Sequence, residues 1–128
     1  MKEPVWIDDE LVLAIHDRQL AEHGGAEGVR DVSLPQSALG RPPNHLHYQR
    51  TDIIELVAIY TAGIVQNHPF LDGNKRTGFV VGVLFLELNG YRFTASEEAA
   101  AQAVLELAAG SIDRQGFSEF MRAHCEKE

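Results

Sequence analysis

A chain of 128 residues with a net charge of −8 is the size of one compact domain, able to close a core without metal or disulfide. The acidic balance excludes broad contact with a nucleic-acid backbone. No run approaches the ~20 apolar residues of a membrane span, and Met1–Trp6 lacks the apolar stretch of a signal peptide. The expectation is a cytoplasmic protein with no direct nucleic-acid or membrane partner. Cys125 is the only cysteine, which leaves no disulfide and reads as a spectator thiol near a frayed end.

The charge is unevenly spread. Val32 to Thr51 holds no acid but carries Arg41 and Arg50, and from Val57 to Leu86 the only acid is Asp72, beside Lys75 and Arg76. An acidic chain that clears its middle in this way spares a place for an anionic ligand. The plainer alternative is that the middle is the core, where charges of either sign are rare.

Taken in chain order, Asp8 and Asp9 are candidate caps for a helix carrying Leu11, Leu13, Ile15 and Leu20, closed by Gly24-Gly25. Gly28 to Asp31 reads as a loop. Ser33 can cap a short helix with Pro35 in its first turn, ending at Gly40. Pro42-Pro43 forbids a regular helix, so Arg41–Arg50 is expected to be a loop or short flap. Asp52 opens a helix with Ile53, Leu56, Val57, Tyr60 and Ile64 at helical spacing, which must stop near His68 because Pro69 follows. The next segment, Gly73–Leu88, is apolar nearly all round and is expected to be the buried central helix. Asn89-Gly90 ends it, and Tyr91–Thr94 reads as a short extended segment. Ser96 starts an alanine-rich helix that runs to Gly110. An amphipathic helix from Asp113 to about His124 turns Phe117, Phe120 and Met121 inward. The fold class is all-α, one domain over 1–128, bundled around the 73–88 helix.

The segment His68-Pro69-Phe70-Leu71-Asp72-Gly73-Asn74-Lys75-Arg76 joins the two long helices. A helix beginning here presents unpaired N–H groups and a positive dipole end, which together suit phosphate. Gly73 permits close backbone approach, Asn74 adds an amide donor, and Lys75 and Arg76 add positive charge. Asp72 is suited to a divalent cation that bridges phosphates. His68 can take a proton from a hydroxyl at neutral pH. Phe70 reads as a packing anchor. The combination fits phosphoryl or nucleotidyl transfer. Each residue also has a structural alternative: Asp72 as a helix cap, His68 bonded to the last carbonyls of the preceding helix, Lys75 and Arg76 on a solvated face. Of the other histidines, His45 and His47 lie in the flap without a third metal ligand. His16 reads as a hydrogen-bonded helix residue, and His23 and His124 as solvent-facing.

This segment resembles the Fic/Doc signature His-x-Phe-x-(Asp/Glu)-(Gly/Ala)-Asn-(Gly/Lys)-Arg and matches every specified position. Leu13–Asp17, Gly24-Gly25, Gly28–Asp31 and Ser37–Leu39 resemble the Doc (death-on-curing) branch, so the resemblance runs along essentially the whole chain. It implies a Fic/Doc-like helical fold. It also implies His68 as general base, Asp72 as the Mg2+ ligand, Gly73 and Asn74 as the anion-binding turn, and Lys75 and Arg76 as catalytic cations on the phosphates. By position, Arg41–Arg50 corresponds to the flap that aligns a target peptide.

Adenylylating Fic members carry a second glycine where this chain has Lys75, and an arginine where it has Phe79. Lys75 instead matches Doc, a kinase that moves the terminal phosphate of a nucleoside triphosphate to a threonine of elongation factor Tu. The resemblance therefore implies a toxin that uses ATP and Mg2+ to block translation. Pro69 and Gly73 are as in the Fic enzymes, which keeps AMP transfer as the alternative. A binding module without transfer activity is a second alternative, and a metal-dependent hydrolase is disfavoured because Asp72 alone supplies too few ligands. The inhibitory motif Ser/Thr-x-x-x-Glu-Gly/Asn is absent from the sequence. The resemblance then implies a separate Phd-like antitoxin chain.

Overall fold

In a computed structural model of the protein, residues 4–25, 52–67 and 74–128 are described. The loop expected at Gly28–Asp31, the helix expected at Ser33–Gly40, the flap at Arg41–Arg50 with His45 and His47, and the stretch from His68 to Gly73 lie outside them.

The described residues form five helices: α1 (Asp9–His23), α2 (Ile53–Asn67), α3 (Asn74–Leu88), α4 (Glu97–Ala109) and α5 (Arg114–Ala123). Two three-residue strands, β1 (Tyr91–Phe93) and β2 (Cys125–Lys127), complete them, so the all-α expectation is met. Local chemistry sets the helix starts. Asp8, Asp52, Ser96 and Asp113 each accept a hydrogen bond from the backbone N–H three residues on, which satisfies a donor the first turn leaves unpaired. Gly24 and Gly110 end α1 and α4 with φ of +78° and +80°, a backbone region glycine enters freely.

The burial of α1 differs from the sequence reading. Val12, Ile15, His16, Gln19 and Leu20 face inward, whereas Leu11 and Leu13 are exposed. In a helix, residues 12, 15, 16 and 19 share one face, and 11 and 13 fall to either side of it. His16 is buried and has a partner within the protein.

The helix enclosed on every side is α2, where every residue from Leu56 to Val65 is buried. α3 packs beside it as a helix with one buried stripe, Thr77, Gly78, Val81, Gly82, Phe85 and Leu86; Phe79, Val80, Val83 and Leu84 are half-buried. The apolar composition of α3 had pointed to complete enclosure. Its outer side is instead only partly covered, with Phe79 edge-on to Phe93 of β1. The core is therefore centred on the α2–α3 pair, with α2 the deeper member.

The C-terminal tail is ordered by pairing. Cys125 to Lys127 lie antiparallel to Tyr91–Phe93, with Phe93 opposite Cys125. The expected frayed end is thus a strand, and half-burial pushes the Cys125 thiol pKa up. His124 is likewise half-buried rather than solvent-facing. Its ring packs tilted against that of Phe120, with centroids 4.4 Å apart, and Nδ1–H donates to the Phe120 carbonyl at 2.8 Å. His23 is exposed, as read.

Candidate active site

The two long helices run antiparallel and touch closely near the end of one and the start of the other. A Cβ on Gly78 would lie 2.8 Å from Val65 Cγ2 and 3.2 Å from the Thr61 carbonyl, and one on Gly82 would overlap Thr61 Oγ1. Glycine at both positions lets the α3 backbone sit directly on α2. Thr61 Oγ1 donates to the Gly78 carbonyl at 3.1 Å, which pins the contact with a side-chain bond. This crossing fixes where the first turn of α3 emerges beside the C-terminal end of α2.

That first turn is Asn74-Lys75-Arg76-Thr77, and it contains no acid. Asn74 is half-buried and partnered, Lys75 and Arg76 are exposed, and Thr77 is fully buried. Helix starts ordinarily favour acidic side chains, because the dipole leaves a partial positive charge there. Two cations at this place are therefore unfavourable to the helix by itself and suited to an anion. One Arg76 donor is already used, since Nη2 donates to the Gly24 carbonyl at the end of α1, 3.2 Å away. The bond ties the start of α3 to the closing turn of α1 and restricts the guanidinium, which carries five donors in all.

Of the residues expected to form the site, Asn74, Lys75 and Arg76 are thus brought together on one helical turn. His68, Asp72 and Gly73, together with Pro69 and Phe70, lie outside the described residues. Among the described residues no group of three or more His, Cys, Asp or Glu side chains is placed to hold a metal ion. Sequence reasoning missed the Gly78–Gly82 contact, although glycines four apart on one helical face are a legible signal of close helix approach. It also missed the reach from Arg76 to Gly24, which joins residues 52 apart in the chain and has no local signal.

The Fic/DOC family profile matches residues 6–86, which span α1, α2 and nearly all of α3. The chain belongs to the Fic/DOC family. It is 32% identical over 117 residues to "Protein kinase doc" of Escherichia phage P1, covering 91% of this chain and 92% of that protein. It is 33% identical over 76 residues to "Toxin Doc" of Mycolicibacterium smegmatis (strain ATCC 700084 / mc(2)155), covering 56% of this chain and 57% of that one. Both relatives are of the Doc branch, to which the signature segment and its flanking sequences pointed. No described helix is long and apolar enough to cross a membrane.

Proposed function

We infer that this protein is a Doc-type toxin that phosphorylates a hydroxyl of another protein. The observation that carries the reading is the acid-free first turn of α3, with Lys75 and Arg76 at the positive end of a 15-residue helix. The names of the two relatives, a protein kinase and a toxin, support the reaction class and the biological role. Lys75 supports phosphate over AMP transfer, since it occupies the place of the glycine found in adenylylating members.

The donor is a nucleoside triphosphate, ATP, seated with its phosphates on the N–H groups of Gly73 and Asn74. Lys75 and Arg76 balance the charge of its phosphoryl oxygens. His68 takes the proton of the incoming hydroxyl. The hydroxyl oxygen then bonds to the terminal phosphorus as the bond to the bridging oxygen breaks, and the nucleoside diphosphate leaves with that electron pair. Asp72 would hold Mg2+, which when bound neutralises phosphate charge. Elongation factor Tu is the proposed target and block of translation the proposed consequence. A Phd-like antitoxin in trans is the proposed partner, acting in the cytoplasm.

The deciding experiment incubates the protein with purified elongation factor Tu and ATP labelled separately at the terminal and innermost phosphates. The expected product carries the terminal label and gains about 80 Da; a gain of about 329 Da with the innermost label would establish AMP transfer instead. His68→Ala is expected to lower transfer by about 10³-fold while the fold survives. Full transfer by that variant would remove the histidine from the mechanism.

A further inference from the structure

Arg18, Arg92 and Arg122 each hold a carboxylate: Glu22 at 3.0 Å, Glu126, and Asp52 at 2.9 Å. Arg76 is treated differently. Its Nη2 donates to the backbone carbonyl of Gly24, 3.2 Å away and 52 residues earlier in the chain. A carbonyl orients a guanidinium without cancelling its charge, whereas a carboxylate does both.

Gly24 is shaped for this contact. Its N–H closes α1 by donating to the Leu20 carbonyl at 2.7 Å. Its backbone then turns to φ +78° and ψ 176°, a combination open in practice only to glycine. Gly110 ends α4 with nearly the same φ but with ψ 9°, the usual left-handed cap. The change in ψ makes the Gly24 carbonyl face the opposite way from that of an ordinary cap, and so reach the first turn of α3. A Cβ on Gly24 would meet nothing within 4 Å. Glycine is therefore needed here for the direction of the backbone and not for space.

The partner of this carbonyl stands beside Lys75 in the acid-free first turn of α3, where both side chains are exposed. A guanidinium is a planar fork of five donors, so a bond from Nη2 fixes the plane in which the others lie. We propose that Gly24 is a positioning residue of the phosphate site: its glycine-only backbone aims a carbonyl at Arg76 and sets that guanidinium, its charge uncancelled by the contact, for the phosphates of a nucleoside triphosphate. The assignment rests on the phosphate-site reading given above and extends that site to the end of α1. An arginine held before binding spares part of the side-chain entropy that the ligand would otherwise have to remove.

The test is a double-mutant cycle on the Kd for ATP with magnesium, measured by calorimetry on wild type, Gly24→Ala, Arg76→Ala and the double variant, each well below its melting temperature. Gly24→Ala introduces no clash but cannot hold this φ and ψ, so the carbonyl swings away from Arg76. Binding by Gly24→Ala is expected to weaken about three- to tenfold, the worth of one hydrogen bond. Arg76→Ala should weaken it at least as much, and adding Gly24→Ala to Arg76→Ala should change nothing further. Equal weakening in both backgrounds would overturn the proposal, because Gly24 would then act through the fold at large. An unchanged Kd in Gly24→Ala would also overturn it and reduce the bond to a cap on α1. Should Gly24→Ala fail to fold, Arg76→Lys decides, since it keeps the charge but replaces the fork with a compact ammonium. Binding at least about threefold weaker is expected of Arg76→Lys, and wild-type affinity would overturn the proposal. Wild type that binds no ATP and transfers no phosphate would remove the phosphate site itself, a failure visible before any variant is compared.

Discussion

The two ends of α3 are finished in opposite ways. At its C-terminal end the protein satisfies its own backbone. Gly90 turns the chain at φ +92°, and the Asn89 side chain accepts from Val5 N–H at 2.8 Å while donating to the carbonyls of Val5 and Phe85. The Glu128 N–H donates to the Gly90 carbonyl, so segments from both chain ends are stitched to one corner. Trp6 stacks on Phe85 at 5.7 Å, and Ile7 N–H donates to Tyr60 Oη at 3.2 Å, which extends that corner to α2. At the N-terminal end the described ties are sparser: Arg76 Nη2 donates to the Gly24 carbonyl, and Asn74 has a partner. Two cations stand at a positive dipole end, and a buried hydroxyl is left unpaired. One end is completed by hydrogen bonds within the protein, whereas the described part of the other carries two exposed cations, a charge pattern that suits an anion. The proposed phosphate site rests on that contrast more than on any single residue in it.

The comparison breaks most severely where the two helices touch. Gly82→Val would drive a branched side chain into Thr61 Oγ1 and Val57, and both ends of α3 would lose their seat. A loss of about 3 kcal/mol by chemical denaturation is expected, together with transfer activity. A variant that keeps wild-type stability would show the helix crossing to be looser than its geometry implies.

Next in size is the alkaline behaviour of the corner. Burial pushes the Tyr60 phenol up to about 12, favouring its neutral form, with the Ile7 N–H bond opposing the shift. A group whose pKa rises on folding stabilises fully below its unfolded value and loses that contribution as pH rises through the folded one. Stability should therefore be flat up to pH about 10 and fall by about 2 to 3 kcal/mol by pH about 12. Tyr60→Phe should be weaker at pH 7 by about 1 kcal/mol, having left Ile7 N–H unpaired, and should show a shallower alkaline loss. Equal alkaline slopes in the two proteins would place the titrating group elsewhere.

Asn89→Ala removes three side-chain hydrogen bonds at the same corner and is expected to cost about 2 kcal/mol. Its KM for ATP should be unchanged, because α3 is still seated on α2. A raised KM would mean that the two ends of the helix are coupled.

How much of this was legible in the sequence depends on whether the cause is local. Helix starts at Asp8, Asp52, Ser96 and Asp113, and the stop at Asn89-Gly90, are decisions of a few neighbouring residues, and they read correctly. The cluster Asn74-Lys75-Arg76 was legible for the same reason. Burial was not, since it depends on what packs where. α3 reads as apolar all round, yet its Phe79 side is only half-buried beside β1, and α2, whose polar residues are Glu55, Thr61, Gln66 and Asn67, is the one enclosed. Strand β2 escaped because a three-residue ladder is set by its partner 34 residues away, not by its own Cys-Glu-Lys sequence. The unpaired Thr77 could not be read at all, because a hydroxyl is unpaired only relative to coordinates.

The smallest effect on stability tests the contrast most directly. Lys75 is exposed in the first turn of α3, where its charge opposes the helix dipole and lies beside Arg76. Lys75→Glu reverses one charge and should raise ligand-free stability by about 0.5 to 1.5 kcal/mol. The same substitution should abolish the rise in melting temperature caused by ATP and magnesium, since the anion now meets a carboxylate. Gain of stability and loss of binding in one variant is what a helix end reserved for an anion requires. If Lys75→Glu lowered the melting temperature without ligand, the lysine would already be balanced by protein groups, and the two ends of α3 would differ in appearance but not in purpose.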